Sequence, residues 1–407
     1  MHKFRFAIFF MMILDCERAF ATDCSSGWEP YSSEPYQELA MPDTNVKYWR
    51  YRFEVDGKKL LYLKVSGEFP TARYMNFTSY DQRTQNGHTT LSDFMINPDD
   101  GSINPYANPY ANPYANPDRE TQGEKKYRFA LLQKGKPVPP WANGNTLQAP
   151  TPRDPEDTKA VEIWYRIYLP DLAQDATNAI PPVGLPTIEA VDEAGADMPC
   201  PTPVKITPRL WVAFRNIPPA DHDGKIIFRA PSSESVYANP DTKYLAAALN
   251  LSHGQAAAIR FRAPRTPASG RKRHELFPRS DVRYWSMCIV GLDTRTSGCI
   301  SDANVKIDGD GFVNIVIGPE SLRQDVELNG MNFLEKGRFS RPLIIYRNLL
   351  PGKDFPGNFN LIPTTSNNET TLQGGAETYI GEYAPLGKTC DLSDLLKAHC
   401  GILGEIQ

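Results

Sequence analysis

The residues that could do chemistry in this chain are few and widely spaced. Six histidines stand at positions 2, 88, 222, 253, 274 and 399, and none belongs to a His-Glu-x-x-His pair. A zinc centre on a helix needs two imidazoles one turn apart, so no metal site is expected from them. Neither Gly-x-Ser-x-Gly nor a P-loop occurs, so neither the nucleophile elbow nor the phosphate cradle is present. Asp308-Gly309-Asp310-Gly311 places two carboxylates one residue apart. The third ligand pair and the spaced glutamate of an EF-hand are missing, and two acids on one turn do not flank a sugar from both sides. The segment reads as a hairpin turn. Asp221-His222-Asp223-Gly224 is read the same way, as four turn residues between strands.

Aromatic side chains are the better binding candidates. Residues 104–117 spell NPYANPYANPYANP, a four-residue tandem repeat. Asn-Pro starts turns and proline denies a ladder donor, so an exposed, semi-rigid loop is expected. Such a loop is explained by repeat expansion at a tolerant site. Its Tyr106, Tyr110 and Tyr114 cannot all find a core, and with Trp141 in the Pro-rich VPPWANG they form a candidate aromatic rim for a glycan or a protein partner.

The elements that position these residues come as a doubled set. Phe277–Ile289 (FPRSDVRYWSMCI) has a degraded copy at Phe69–Phe77 (FPTARYMNF). Leu91-Ser92-Asp93 answers Ile300-Ser301-Asp302, and residues 165–170 (YRIYLP) answer residues 346–351 (YRNLLP) in the same order. A tandem duplication of one β-rich unit follows. Features kept in both copies build the fold, and features of one copy are the better functional candidates. By that filter Arg73 with Asp93, and Arg283 with Asp302, are a structural ion pair inside each unit.

Residues 46–55 alternate, with Trp49, Tyr51, Phe53 and Val55 facing one way and Arg50, Arg52 and Glu54 the other. That pattern predicts a strand with one wet side, and Asp56-Gly57 predicts a hairpin to residues 60–65. Residues 241–250 and 256–262 repeat the arrangement. Further strands are expected at 69–80, 93–96, 125–132, 161–169, 210–214, 225–229, 283–290, 304–307, 312–317 and 342–346. Thirty-six prolines reinforce a strand-and-loop reading. The fold class is all-β: tandem β-sandwich (jelly-roll-like) units with long Pro-rich loops and a short C-terminal helix. The units are expected at 22–135 and 237–355, separated by a Pro-rich linker with additional strands at 136–236 and followed by a tail at 356–407.

Residues 1–21 read as a signal peptide, with His2, Lys3 and Arg5 before the apolar run Phe6–Leu14, and Ala19-Phe20-Ala21 for cleavage. A lipid anchor through Cys16 is the alternative. No later stretch is long and apolar enough to cross a membrane as a helix. The expected location is periplasmic or extracellular. Without that segment the chain keeps 41 Lys+Arg (44 less 3) and 46 Asp+Glu (48 less 2), a net charge of −5 that disfavours nucleic acid. The basic cluster Arg260, Arg262, Arg265, Arg271, Lys272 and Arg273 reads as a solvated loop.

Six cysteines remain, an even count that suits disulfides in an exported chain and allows fifteen pairings. Cys288 and Cys299 flank a polar loop, Cys390 and Cys400 bracket a short helical pattern, and Cys24 with Cys200 completes the set. No Cys-x-x-Cys occurs, so redox catalysis is not expected.

At residues 239–244 (NPDTKY) and 283–286 (RYWS) the chain resembles exported bacterial proteins with paired domains of unknown function, the twelve-fifty-four and twelve-fourteen types. The resemblance spans about residues 237–355 with an echo at 46–135. It implies β-sandwich domains and export, and carries no activity or catalytic residues. The β-rich unit before residues 239–244 departs from that pattern. The reading is a non-catalytic exported protein, without cofactor, that binds a cell-surface polymer or protein partner through aromatic loops. The alternatives are a secreted carbohydrate-active hydrolase with paired carboxylates and a structural surface or adhesion component. The oligomeric state is not encoded in any local pattern.

Overall fold

A computed structural model describes residues 23–54, 62–81, 85–106, 123–133, 135–150, 160–170, 183–192, 196–204, 224–231, 237–267, 280–339, 341–363, 375–398 and 400–401. The signal segment, Asp56-Gly57, Tyr110, Tyr114, Asp221-His222-Asp223, residues 210–214, and Arg271, Lys272 and Arg273 lie outside the described residues.

The first unit holds β1 (Trp28–Tyr31), β2 (Val46–Glu54), β3 (Tyr62–Glu68), β4 (Ala72–Asp81) and β5 (Gly87–Ser92), followed by β6 (Lys126–Leu132), β7 (Thr146–Gln148), β8 (Ala160–Pro170), β9 (Thr187–Val191) and β10 (Asp197–Met198). They form a sheet of order β1-β2-β8-β4-β5 facing one of order β10-β9-β3-β6-β7. The second unit holds β11 (Lys225–Ile227), β12 (Thr242–Ala248), β13 (Gln255–Arg262), β14 (Tyr284–Val290) and β15 (Thr296–Ser301), then β16 (Phe312–Gly318), β17 (Asn332–Glu335), β18 (Leu343–Leu349) and β19 (Leu386–Asp391). Its sheets are β12-β18-β14-β15 and β11-β19-β13-β16-β17.

The two orders are the same pattern written twice. β2-β8-β4-β5 matches β12-β18-β14-β15, and β9-β3-β6-β7 matches β19-β13-β16-β17. Both units carry a parallel pair at the same place, β6 with β7 and β16 with β17. Register agrees to the residue: Tyr74 lies opposite Tyr168, and Tyr284 opposite Leu349. The next residue, Leu169 or Leu350, is left-handed in each unit, at φ 43° and 46°.

Alternation explains the cores, since every second side chain of a strand points between the sheets. Phe53, Phe77, Phe129, Tyr165 and Ile167 fill the first, where Phe77 stacks on Tyr165 at 4.5 Å. Ile259, Phe261, Trp285, Ile315 and Tyr346 fill the second. A third cluster, of Tyr31, Tyr48, Tyr74, Tyr80, Trp164, Tyr168, Tyr284 and Leu349, joins the units. Cys24–Cys200, Cys288–Cys299 and Cys390–Cys400 are bonded, with Cα separations of 5.5, 4.1 and 5.4 Å. The helix Leu392–Ala398 sits between the last two cysteines.

Four expectations change. The expected wet side of β2 is covered over most of its length: Tyr48 and Arg52 are buried and Arg50 is half-buried, because that face packs at the junction, and Glu54 at the strand end is exposed. β2 and β3 are not hairpin partners but cross from one sheet to the other, as do β12 and β13. Asp93–Met95 is a 3-10 turn rather than a strand. The unit boundaries also move. β8 is the central strand of a first-unit sheet and β9 lies in the other, so residues 160–191 belong to that unit and not to a linker. β11 and β19 likewise extend the second unit to both sides of 237–355.

Candidate functional site at the junction of the units

Arg73 and Arg283 precede the matched tyrosines at the start of β4 and β14, and Asp93 and Asp302 follow β5 and β15. The ion pairs expected inside each unit are exchanged between units. Arg73 Nη1 meets Asp302 Oδ2 at 2.7 Å, and Arg283 Nη1 meets Asp93 Oδ1 at 2.9 Å. Each arginine also donates to the other's main chain, Arg73 to Arg283 O at 3.2 Å and Arg283 to Arg73 O at 3.1 Å. This reciprocity is the signature of a two-fold interface, in which residue i meets j and j meets i. A sequence can show that both units hold an Arg and an Asp. Only the docking says which pair meets.

The connecting segments repeat the exchange. Met41 N–H donates to Thr294 O at 2.7 Å, and Tyr237 N–H donates to Gln85 O at 2.9 Å. Arg347 Nη2 then caps Met41 O at 2.7 Å, as Arg166 Nη2 caps Tyr237 O at 3.0 Å. Thus the segment before β2 lies on the second unit, and the segment before β12 lies on the first. Tyr74 and Ser92 hydroxyls donate to Asp241, while Tyr284 and Ser286 hydroxyls donate to Asp43. Asn76, in a glycosylation sequon, is fully buried and donates to Asn239 Oδ1 at 2.9 Å.

The carboxyl groups with raised pKa values are in this junction and are engaged. Burial pushes Asp93 up to about 6, against the pull of Arg283 and the N–H groups of Met75 and Phe94. Burial also raises Asp302, with Arg73 opposing. Burial raises Glu162, which accepts from Trp164 Nε1 at 2.7 Å and Tyr237 Oη at 2.9 Å. These carboxyls tie sheets together, and their shifts come from desolvation at a packed interface. Asp43 lies within 4.8 Å of Cys288 and Cys299, whose sulfurs are bonded to each other.

Beside the junction opens a cleft of about 680 Å³. Asn86 and Gly87 of the β5 end line it from the first unit, and Ala230 with Pro231, Ala238–Pro240 with Thr242–Tyr244, and Phe359, Asn360, Ile362 and Pro363 line it from the second. Its lining combines side-chain amides, prolines, the Tyr244 ring and the Lys243 ammonium. The sequence reading missed this site, because its residues come from four separate segments. The local signal for it is the Asn239-Pro240 turn, which supplies part of the lining.

The expected aromatic rim is partly corrected. Tyr106 is in the first core, not exposed; its hydroxyl donates to Pro70 O and its ring lies 5.5 Å from the Arg283 guanidinium. One repeat tyrosine was captured because residues 104–106 fold back over Phe69, 6.1 Å away. Trp141 is half-buried and packs edge-on against Tyr62 at 6.5 Å, which fits a loop anchor. Asp308 is a turn organiser. It accepts from the Phe312 N–H at 2.8 Å, from Arg260 at 2.7 Å and from Asn314 at 2.9 Å, and against the opposing effect of burial these hold its carboxyl at about 2.

No protein-family model matches the chain, and no curated protein matches it. Among solved structures it is similar to an uncharacterized protein from Burkholderia cenocepacia at 12% identity and a TM-score of 0.51, covering 91% of this chain and 82% of that one. The VPA0106 protein from Vibrio parahaemolyticus matches at 12% identity and a TM-score of 0.44, covering 87% and 92%. The first of these likenesses concerns the fold alone.

Proposed function

We propose that this chain is an exported, two-sandwich binding protein that holds a partner in the cleft beside the junction. The observation that carries this reading is the cleft's construction. Both units contribute walls to it, and its described lining offers amides, a ring and one cation rather than opposed acids. Groups of that kind orient a polar chain by hydrogen bonds and ring contact. A glycosidase would need carboxyls about 5–9.5 Å apart across the groove, and the described lining residues supply none. Three disulfides favour an oxidising compartment. Membership of the paired-domain group is part of the same proposal and rests on the short motifs alone.

Glycan-array and peptide-array binding by the wild type and by Asn360→Trp, which fills the cleft from an exposed position, tests the reading. Binding that the tryptophan abolishes is expected. Binding that ignores it, or its absence from both arrays, overturns the proposal. N-terminal sequencing of protein recovered outside the cytoplasm should begin after residue 21, and retention of the full chain inside would remove export.

A further inference from the structure

We infer that the cleft's partner is an extended polypeptide, which adds to the edge of β12 at Tyr244. This rests on the cleft reading above and names the partner class. In the first unit β1 covers the edge of β2, with Glu29 opposite Arg50 and Tyr31 opposite Tyr48. Tyr244 is the counterpart of Tyr48: each hydroxyl accepts the N–H of the residue that opens the preceding turn, Asn239 at 3.1 Å and Asp43 at 2.9 Å.

On β12 the covering strand begins and then stops. Arg229 and Ala246 exchange both main-chain bonds, at 2.9 and 2.8 Å. Antiparallel parity then puts the N–H and C=O of Tyr244 on the same open side. The residue that should face them is Pro231, where the first unit has Tyr31. Proline has no N–H to give, so the pairing that Arg229 makes is not continued at Pro231. Thr242 N–H on the same side is taken by Asn239 O at 2.9 Å. Among the described residues, nothing pairs with the main chain of Tyr244 across that edge. Ala230, Pro231, Lys243 and Tyr244 all line the cleft.

An unpaired strand edge inside a cleft is a template for strand addition, in which main-chain bonds give affinity and flanking side chains give selectivity. Extended peptides from a displayed random library test this directly. Wild type should select peptides, and Tyr244→Pro, which deletes the outward N–H along with the ring, should bind the selected ones about tenfold more weakly than Tyr244→Ala, which deletes the ring and keeps the N–H, while Tyr244→Phe keeps them. In the unsubstituted protein, the Tyr244 amide should become protected from hydrogen exchange when a selected peptide binds. Unchanged Tyr244 exchange on binding, or equal affinity of Tyr244→Pro and Tyr244→Ala, overturns the inference. Cleft-dependent glycan binding with no peptide selected overturns it too, and leaves the cleft reading standing.

Discussion

The two units share sheet order, register and a left-handed residue after the central strand, yet they differ at three matched places. β2 is covered by a full strand and β12 only in part. Ile167 of the first core corresponds to Asn348 of the second, because Tyr74 faces Tyr168 as Tyr284 faces Leu349. Glu162, beneath Trp164 and Tyr237, corresponds to Leu343. What the copies retain is the exchanged junction, which neither could hold alone. Where the first unit has the full covering strand β1, the second has the single Arg229–Ala246 bridge, and the cleft lies beside that edge.

Breaking the comparison at its largest effect means cutting a disulfide. Cys24–Cys200 spans 176 positions and Cys288–Cys299 spans 11. On the chain-entropy scale the first contributes about 5 kcal/mol and the second about 3 kcal/mol. Chemical denaturation of the two double-serine variants should therefore rank them in that order.

The exchanged ion pairs come next. Asp93→Ala leaves Arg283 buried without its carboxylate and should cost about 3–5 kcal/mol. A double-mutant cycle distinguishes exchange from pairing within a unit. Arg283 should couple to Asp93, with an interaction energy of about 0.5–3 kcal/mol, and show no comparable direct term with Asp302.

A smaller effect sharpens the contrast between cores. Asn348 is fully buried, and neither its amide nitrogen nor its oxygen has a hydrogen-bond partner. Asn348→Leu should stabilise the protein by about 1 kcal/mol, since an unsatisfied buried amide is replaced by a side chain like that of its twin. Thermal unfolding that shows a loss of stability would mean that position 348 is used for something the first unit does not do.

The pH dependence has two limbs of opposite sign. Asp93 titrates at about 6 in the folded chain against an ordinary 3.8. Its protonation contributes stability that is complete below 3.8 and is lost as pH rises through about 6. Asp308 does the reverse, stabilising above 3.8 and losing that contribution as pH falls through about 2. Unfolding midpoints across this range should rise and then fall on acidification, and Asp308→Asn should flatten the acid limb.

Much of the fold could be read from neighbouring residues. Alternation marked β2, and the Cys288 and Cys299 positions fitted facing residues of a hairpin. The doubled landmarks gave the register that Tyr74 and Tyr284 occupy. These are short-range properties: side-chain period and loop length are set within a strand and its turn. The same local signals failed for β2 and β3, because a turn residue pair does not say whether the chain returns in one sheet or crosses to the next.

What the sequence determined by itself was the strand-built class, the duplication and a cysteine set whose spacing suits its pairing. Tertiary structure decided which aspartate each arginine meets, which repeat tyrosine is buried and which sheet edge stays open. The reason is physical. Asp93 and Asp302 are chemically equal partners for either arginine, and only the docking of one unit on the other brings a charge within 3 Å. An open edge, likewise, belongs to no residue: it exists where Pro231 has no N–H to offer Tyr244 and no described residue pairs there.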